Sequence, residues 1–466
     1  MEDIRSFLMD KINLLKNRRD ALLKNGKETR EKISTLVDGE SFVELSSYSF
    51  SRNEFYSDEE QGEGVITGFA TIDGQPCYIV AQNAKVCSGG ISKANCDKIA
   101  KALVAAENSS SPVVYLLESK GVQIGEGVNV LEGVADVLWR VSNLSGKVPQ
   151  IAIVDGDVFG AFAALVASCD MAFYTKNACV SFASPAVLGA TEKFPKTKEE
   201  VGGVKALANN GLNATVVEDL AEAKDKVSKV IEILQCDEIE NGDDYNRTAP
   251  ELNEKVCAKC LTKAIFDEGT YVEVGASFCP EVKTAFGTIG GMSVGAIVFD
   301  GGEEGVEITA NVMKKIKRFA ALLSDYGLPL VNLVNAKGIA KTFEASQSDV
   351  LNEIAGYIYN TTDIKKLSLV YGKAVGMGYT LFAAKEMGYD YTAAFPDAMI
   401  SLFDTLEGAY IQFSGVTVSD EKKFEEKYKT ENQDPFNAAK GGYIDNIIEP
   451  QFVRQHLIAS LQMLVR

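Results

Sequence analysis

The chain has 466 residues, 46% of them apolar, enough for two or three domains with real cores. Its formal net charge of −18 argues against a general nucleic-acid binder, because phosphate binding needs a basic surface. It carries a single histidine, His456, close to the C-terminus, so a Ser-His-Asp or Cys-His nucleophile system would depend on one remote imidazole.

In chain order, residues 1–37 read as helix, with Ile4, Phe7, Leu8, Ile12, Leu15 and Leu22 at helical spacing among Lys, Arg and Glu. Glu2, Asp3, Arg5 and Asp10 do not suit a secretory signal, and no 18-residue apolar run suggests a membrane span, so a cytoplasmic location is expected. Lys11, Lys16, Arg18, Arg19 and Lys24 read as a solvated face, with contact to an anionic cofactor tail as the alternative. Ser41 to Leu45 is a short strand and 46–63 a polar loop. Gly64 to Ala81 alternates around Asp73-Gly74, a hairpin signal. Gly89-Gly90 leads into a helix from Ser92, its N-cap, to Glu107. The strand Val113 to Leu117 ends at Glu118-Ser119-Lys120-Gly121, and a helix spans Gly127 to Asn143. The strand Ile151 to Val154 then runs into Gly156-Asp157-Val158-Phe159-Gly160-Ala161, read as a glycine turn and helix start. Alternating strands and helices with apolar strands indicate an α/β fold.

A helix over Ala221 to Leu234 and the acidic stretch Asp237 to Asp244 precede Arg247-Thr248-Ala249-Pro250, the best linker. Of nine scattered cysteines only Cys257 and Cys260 form a Cys-x-x-Cys pair, with no second half at zinc spacing and no histidine nearby. No metal site is expected, and the thiols are expected to be reduced.

The pattern then repeats. Ala264-Ile265-Phe266-Asp267 and Tyr271 to Val274 echo Leu36-Val37-Asp38 and Phe42 to Leu45. Thr284 to Gly291 echoes Thr67 to Gly74, and Ala336-Lys337-Gly338 echoes Ser119-Lys120-Gly121, both at an offset of 217 residues. A helix over Thr309 to Leu323 stands where Ser92 to Glu107 stood. Gly372 and Gly376 follow Gly156 and Gly160 at an offset of 216. Ordered landmarks at a constant offset indicate an internal duplication, giving two homologous α/β domains at 1–236 and 252–466. Each half offers two strand-end turns whose peptide N–H groups can converge on one developing negative oxygen, a chemistry that needs no imidazole. Tight turns or close helix packing would use the same glycines.

The whole chain resembles the carboxyltransferase subunits of biotin-dependent acyl-CoA carboxylases, a family of double crotonase-fold proteins that includes propionyl-CoA carboxylase β and the transcarboxylase large subunit. The resemblance rests on Gly26 to Ile33 with Asp38 and Ser41 to Glu44, on Gly89-Gly90-Ile91-Ser92, and on Glu118 to Gly127. It continues through Val148-Pro149-Gln150-Ile151, Phe159-Gly160-Ala161, Gly372 to Tyr379, and Tyr443 to Pro450 with Arg454.

The fold this resemblance implies is two tandem crotonase-like (ClpP/crotonase) domains, the first on the acyl-CoA side and the second on the biotin side. It assigns Gly121, Val122, Gly160 and Ala161 to stabilising the thioester enolate, and Gly338, Ile339, Gly376 and Met377 to the ureido oxygen of biotin. Gly89, Gly90, Lys120, Lys337, Gly378 and Tyr379 are placed as binding residues for the two cofactors. The implied partners are an acyl-CoA, a biotin carboxyl carrier protein bearing the biotin on a separate chain, and a biotin carboxylase or membrane decarboxylase subunit. A homo-oligomer from dimer to hexamer is also implied.

This sequence departs from the family at Lys120, Ala161 and Met377, which replace glycines, and at Lys337-Gly338-Ile339, which replaces Pro-Gly-Phe. After Gly202-Gly203 it lacks the usual histidine-rich stretch. These departures motivate the alternative of a catalytically degenerate paralogue that binds acyl-CoA or scaffolds an assembly. A crotonase-type hydratase or isomerase would need Glu118, Glu126 or Asp157 beside the first turn, and a ClpP-like protease would need His456 there.

Overall fold

The computed structural model describes every residue except 1, 52–61, 212–213, 241, 414–419 and 465–466. Most of the polar loop expected over 46–63, and one position of the acidic stretch Asp237 to Asp244, therefore lie outside the described residues. Contacts divide the chain into two units, Met1–Ile231 and Glu232–Arg466.

The strands of the first unit are β1 (Val43–Leu45), β2 (Val65–Ile72), β3 (Gln75–Gln82), β4 (Val113–Ser119), β5 (Gln150–Phe159), β6 (Met171–Thr175), β7 (Cys179–Ser181) and β8 (Ala214–Val217). They form one sheet in the order β1-β2-β3-β4-β5-β6-β8, with β7 paired to β5. The β1–β2 and β2–β3 pairs are antiparallel, and the rest of the sheet is parallel. Val113 to Leu117 and Ile151 to Val154 are continuous apolar runs, all buried, as strands covered on both faces must be. One cover is the helix pair Lys93–Ser109 and Val128–Leu144, which buries Ile99, Leu103, Val134, Val137 and Val141 in the main core.

The second unit holds β9 (Val272–Val274), β10 (Val282–Ile289), β11 (Met292–Phe299), β12 (Val306–Ile308), β13 (Leu330–Ile339), β14 (Lys366–Val375), β15 (Tyr391–Ala394), β16 (Met399–Ser401) and β17 (Asn446–Ile447). Their order is β17-β15-β14-β13-β11-β10-β9, with β12 on β13 and β16 on β14.

The hairpin turns have a common lock. Asp73 (φ 47°) and Gly74 (φ 81°) make the positive-φ turn expected of Asp-Gly. The carboxylate of Asp38 accepts from both their N–H groups (2.9 Å each) and from Thr71 Oγ1 (2.7 Å). Asp267 does the same for Gly290 N–H (3.0 Å), Gly291 N–H (2.8 Å) and Thr288 Oγ1 (2.6 Å). A cation from a helix late in each unit completes the lock. Lys224 stands 3.5 Å from Asp38, and Arg454, almost wholly buried, donates to Asp267 (2.6 Å) and to the carbonyls of Ile265 and Asp244.

Three expectations need correction. The N-terminal helix is two helices, Glu2–Asn25 and Lys27–Leu36, broken at Gly26. Gly156 and Gly372 do not turn the chain: β5 and β14 run on through them. Glycine leaves room there for side chains of the neighbouring strands, because a Cβ would stand 2.9 Å from Glu118 Cδ and 2.4 Å from Asn335 Oδ1. Finally, Cys257 and Cys260 are joined in a disulfide, while the other seven cysteines are outside any disulfide.

Candidate active site

In the first unit, β5 ends at Phe159 and the helix Ala161–Ser168 begins two residues later. Gly160 between them has φ 75° and ψ −138°, a conformation natural only to glycine. The turn after β4 lies alongside, because a Cβ on Gly160 would be 3.8 Å from Gly121 Cα. In the second unit β14 ends at Val375, Gly376 (φ 54°, ψ −121°) makes the corner, and the helix Met377–Phe382 follows. A Cβ on Gly338 would stand 3.1 Å from Val375 carbonyl, so the two turns again touch.

The hydrogen bonds decide which amides at these corners are free. Gly160 N–H donates to Ser181 carbonyl (3.1 Å) and Gly376 N–H to Ser401 carbonyl (2.9 Å), so β7 and β16 occupy both. Gly121 N–H faces Ser119 Oγ at 3.3 Å. Ala161 and Met377 are the first residues of their helices, where N–H groups have no carbonyl partner within the helix. Val122 bridges Ile91 in parallel through its neighbours. Ile91 N–H donates to Gly121 carbonyl (3.0 Å) and Gln123 N–H to Ile91 carbonyl (2.9 Å). Val122 N–H donates to no acceptor among the described residues. Ile339 repeats this against β12: Ile308 is its partner, and Ala340 N–H donates to Ile308 carbonyl (3.0 Å). In a parallel ladder the bridged residue's own N–H points away from that neighbour.

The eight candidate residues fall into two groups. Val122, Ala161 and Met377 N–H groups have no acceptor among the described residues, and Ile339 is bridged as Val122 is. Gly121, Gly160, Gly338 and Gly376 take the positive φ angles of the corners. Uncommitted amides at strand ends have the chemistry to stabilise an oxyanion. The replacements of glycine at Ala161 and Met377 leave the amide intact.

The residues placed as cofactor-binding are distributed differently. Gly89, Gly90 and Gly378 are buried. A Cβ on Gly89 would meet Glu118 carbonyl at 2.2 Å, and one on Gly378 would meet Ala336 carbonyl at 2.8 Å, so both give close packing. Lys120 is exposed and Lys337 half-buried, and neither makes an ion pair among the described residues. Tyr379 donates to Tyr443 carbonyl (3.0 Å), and burial pushes its phenol up from the ordinary value.

The carboxylates that a hydratase would need are occupied. Glu118 pairs with Lys32 (3.0 Å), which also pairs with Asp155 (3.1 Å). Burial acts to lower the Lys32 ammonium, but these two carboxylates outweigh it and hold the group above its usual range. Glu126 accepts from Ser51 Oγ (2.9 Å) and Lys93 N–H (2.5 Å), and Asp157 pairs with Lys198 (3.3 Å). His456 is half-buried on the helix Val453–Leu464 in the second unit, beside the Arg454 lock. Sequence reasoning missed Ser181 and Ser401, whose carbonyls pin the corners. Their signal is a shared position: each ends the short strand laid beside its corner, and each is followed by an exposed apolar residue, Phe182 or Leu402.

Mixed sheets flanked by helices, with glycine corners at the strand ends, make each unit an α/β fold. The carboxyl transferase domain family matches residues 22–466, and the chain belongs to that family. It is 29% identical over 464 residues to the methylmalonyl-CoA decarboxylase subunit alpha of Veillonella parvula, covering 94% of this chain and 90% of that one. It is 26% identical to the propionyl-CoA carboxylase carboxyltransferase subunit of Haloferax mediterranei, covering 98% and 96%. The crystal structure of transcarboxylase 12S, a hexamer with methylmalonyl-coenzyme A bound, superposes with a TM-score of 0.89 at 24% identity, over 98% of this chain and 96% of that one.

Proposed function

We propose that this carboxyltransferase moves a carboxyl group between N1 of biotin and the α-carbon of an acyl-CoA thioester, using one amide pair for each partner. The observation that carries the reading is the repeated strand-end corner, with Val122 and Ala161 in one unit, Met377 in the other, and Ile339 bridged as Val122 is. In the first unit Val122 and Ala161 donate to the thioester oxygen as it gains enolate charge. Biotin, when bound, holds the carboxyl on N1 and gains negative charge on its ureido oxygen as the carboxyl leaves. Ile339 and Met377 in the second unit are the donors aimed at that oxygen. Fixed peptide dipoles need no reorganisation during reaction, and holding the two reactants in register supplies much of the remaining rate. Lys120 and Lys337, without an ion pair among the described residues, attract carboxylate or CoA phosphate in this reading.

The same topology in both units, the paired Asp38 and Asp267 locks and the matched corners support an internal duplication of two crotonase-like domains, 1–236 and 252–466. The chain contains no Ala-Met-Lys-Met biotinylation site, Val312-Met313-Lys314-Lys315 being the nearest match. A biotin carboxyl carrier protein, and a biotin carboxylase or a membrane decarboxylase subunit, are therefore proposed as separate partners. Exposed apolar side chains at Ile124, Val128, Leu131 and Trp139, and at Phe343, Leu351 and Tyr359, support a homo-oligomer from dimer to hexamer. Seven cysteines outside any disulfide fit a reducing compartment, and a cytoplasmic location is part of the proposal.

The test is carboxyl exchange between carboxybiotin and a panel of acyl-CoA thioesters, beside a measurement of CoA affinity. A degenerate scaffold would show little exchange in the wild type or in Met377→Gly. No turnover of any thioester, with CoA binding also absent, refutes the proposal.

A further inference from the structure

Cys257 and Cys260 stand across the first turn of the helix Ala258–Ile265, a position that carboxyl transfer does not use. Cys257 is the N-cap, and its sulfur accepts the N–H of Cys260 at 3.1 Å. Their Cα atoms are 5.1 Å apart, within the span of a disulfide, so the backbone suits the closed pair. Closing so short a loop adds little stability, and Ala258, Leu261 and Ile265 already bury the helix in the core. The bond is therefore not needed as a staple.

Both cysteines are half-buried, and Cys257 lines a cavity of about 480 Å³ whose charged residues are Lys255, Lys373, Asp300, Glu303 and Asp397. Lys255 and Lys259, both exposed, flank the pair without an ion-pair partner among the described residues. Free N–H groups of a helix first turn and nearby lysines stabilise a thiolate. Other thiols lie in the opposite environment. Burial pushes Cys77 and Cys96 up to about 12, and Cys179 and Cys279 up to about 11.

We propose that Cys257 and Cys260 form a redox-active dithiol–disulfide pair that exchanges with low-molecular-weight disulfides entering the adjoining cavity. In the oxidising direction the Cys257 thiolate attacks one sulfur of the small disulfide, forming a mixed disulfide and releasing one small thiol. Cys260 then gives up its proton and attacks Cys257 sulfur, closing the protein disulfide and releasing the second small thiol. Two electrons pass from the pair to the small disulfide, and the two protons of the dithiol end on the two released thiols. Intracellular disulfides outside hyperthermophiles are usually transient and redox-sensing, which suits such a pair.

The experiment equilibrates the full chain in buffers of varied glutathione to glutathione-disulfide ratio, traps free thiols by alkylation and reads each cysteine by peptide mass spectrometry. The Cys257–Cys260 peptide should pass reversibly between dithiol and disulfide as the ratio changes, while Cys77 and Cys96 stay unmodified thiols. Cys260→Ser should capture glutathione on Cys257 at least about tenfold faster than Cys257→Ser captures it on Cys260, because the N-cap position favours the thiolate. A wild-type pair fixed in one state at every ratio, or equal capture by the two variants, overturns the proposal.

Discussion

Proline at the first residue of a helix removes one N–H and little else, which makes Ala161→Pro and Met377→Pro sharp probes of the two corners. Position N1 tolerates proline because its amide has no helical acceptor to lose. The preceding glycines, with ψ −138° at Gly160 and −121° at Gly376, already avoid the α conformation that proline disfavours in its predecessor. Thermal unfolding should therefore stay near wild type in both variants. Removing one oxyanion donor costs about 2.7–4 kcal/mol of barrier, so kcat for carboxyl exchange should fall about 10²–10³-fold in each. The halves separate in partial reactions. Ala161→Pro should suppress α-proton exchange of the acyl-CoA, and Met377→Pro should spare it while suppressing carboxyl release from carboxybiotin. Ala161→Gly and Met377→Leu keep the N–H and serve as controls. A folded Ala161→Pro or Met377→Pro enzyme that exchanges carboxyl at the wild-type rate refutes the assignment of these amides.

Three further outcomes follow from the fold. Arg454→Met leaves Asp267 buried without its cation and should destabilise the second unit by about 3–5 kcal/mol, read as a lowered denaturant midpoint. The N–H groups of Gly74 and Asp73 and the Thr71 hydroxyl hold the Asp38 carboxyl down at about 2, from an ordinary 3.8. A depressed carboxyl contributes stability above its unfolded value that is lost as pH falls through the folded one. The first unit should therefore lose stability between about pH 4 and pH 2, and Asp38→Asn, monitored by circular dichroism, should flatten that loss. Gly372→Ala drives a methyl into Asn335 and should cost about 1–3 kcal/mol in equilibrium unfolding.

Much of the fold is legible in the residues themselves. Asp73-Gly74 marks its hairpin, Ser92 caps its helix by accepting Asn95 N–H, and Thr309 does the same for Val312 N–H. The apolar runs of β4 and β5 read as buried because nothing polar interrupts them. Gly156 and Gly372 were misread for a physical reason: a glycine after an apolar run has the local chemistry of a turn. Only the cross-strand neighbours Glu118 and Asn335 reveal that it admits a side chain instead.

The candidate site was legible to the level of the corner and no further. Which amide at a corner is free depends on Ser181 and Ser401 carbonyls, supplied by strands that return to the corner later in the chain. Local sequence cannot show that Gly160 and Gly376 spend their N–H groups there. Cys257 and Cys260 were visible as a pair, yet their bond depends on the N-cap geometry that brings one sulfur over the helix start.

The most direct test of the central claim follows a labelled carboxyl group in the purified chain. With a ¹³C-carboxyl-labelled malonyl-type CoA thioester and free biotin as acceptor, the account predicts label on biotin and the decarboxylated acyl-CoA, protonated at its α-carbon, in equal amounts, with the transfer lost in Met377→Pro. Release of label only as free carbonate at the uncatalysed rate, with biotin unlabelled across the thioester panel while CoA binds, would contradict it.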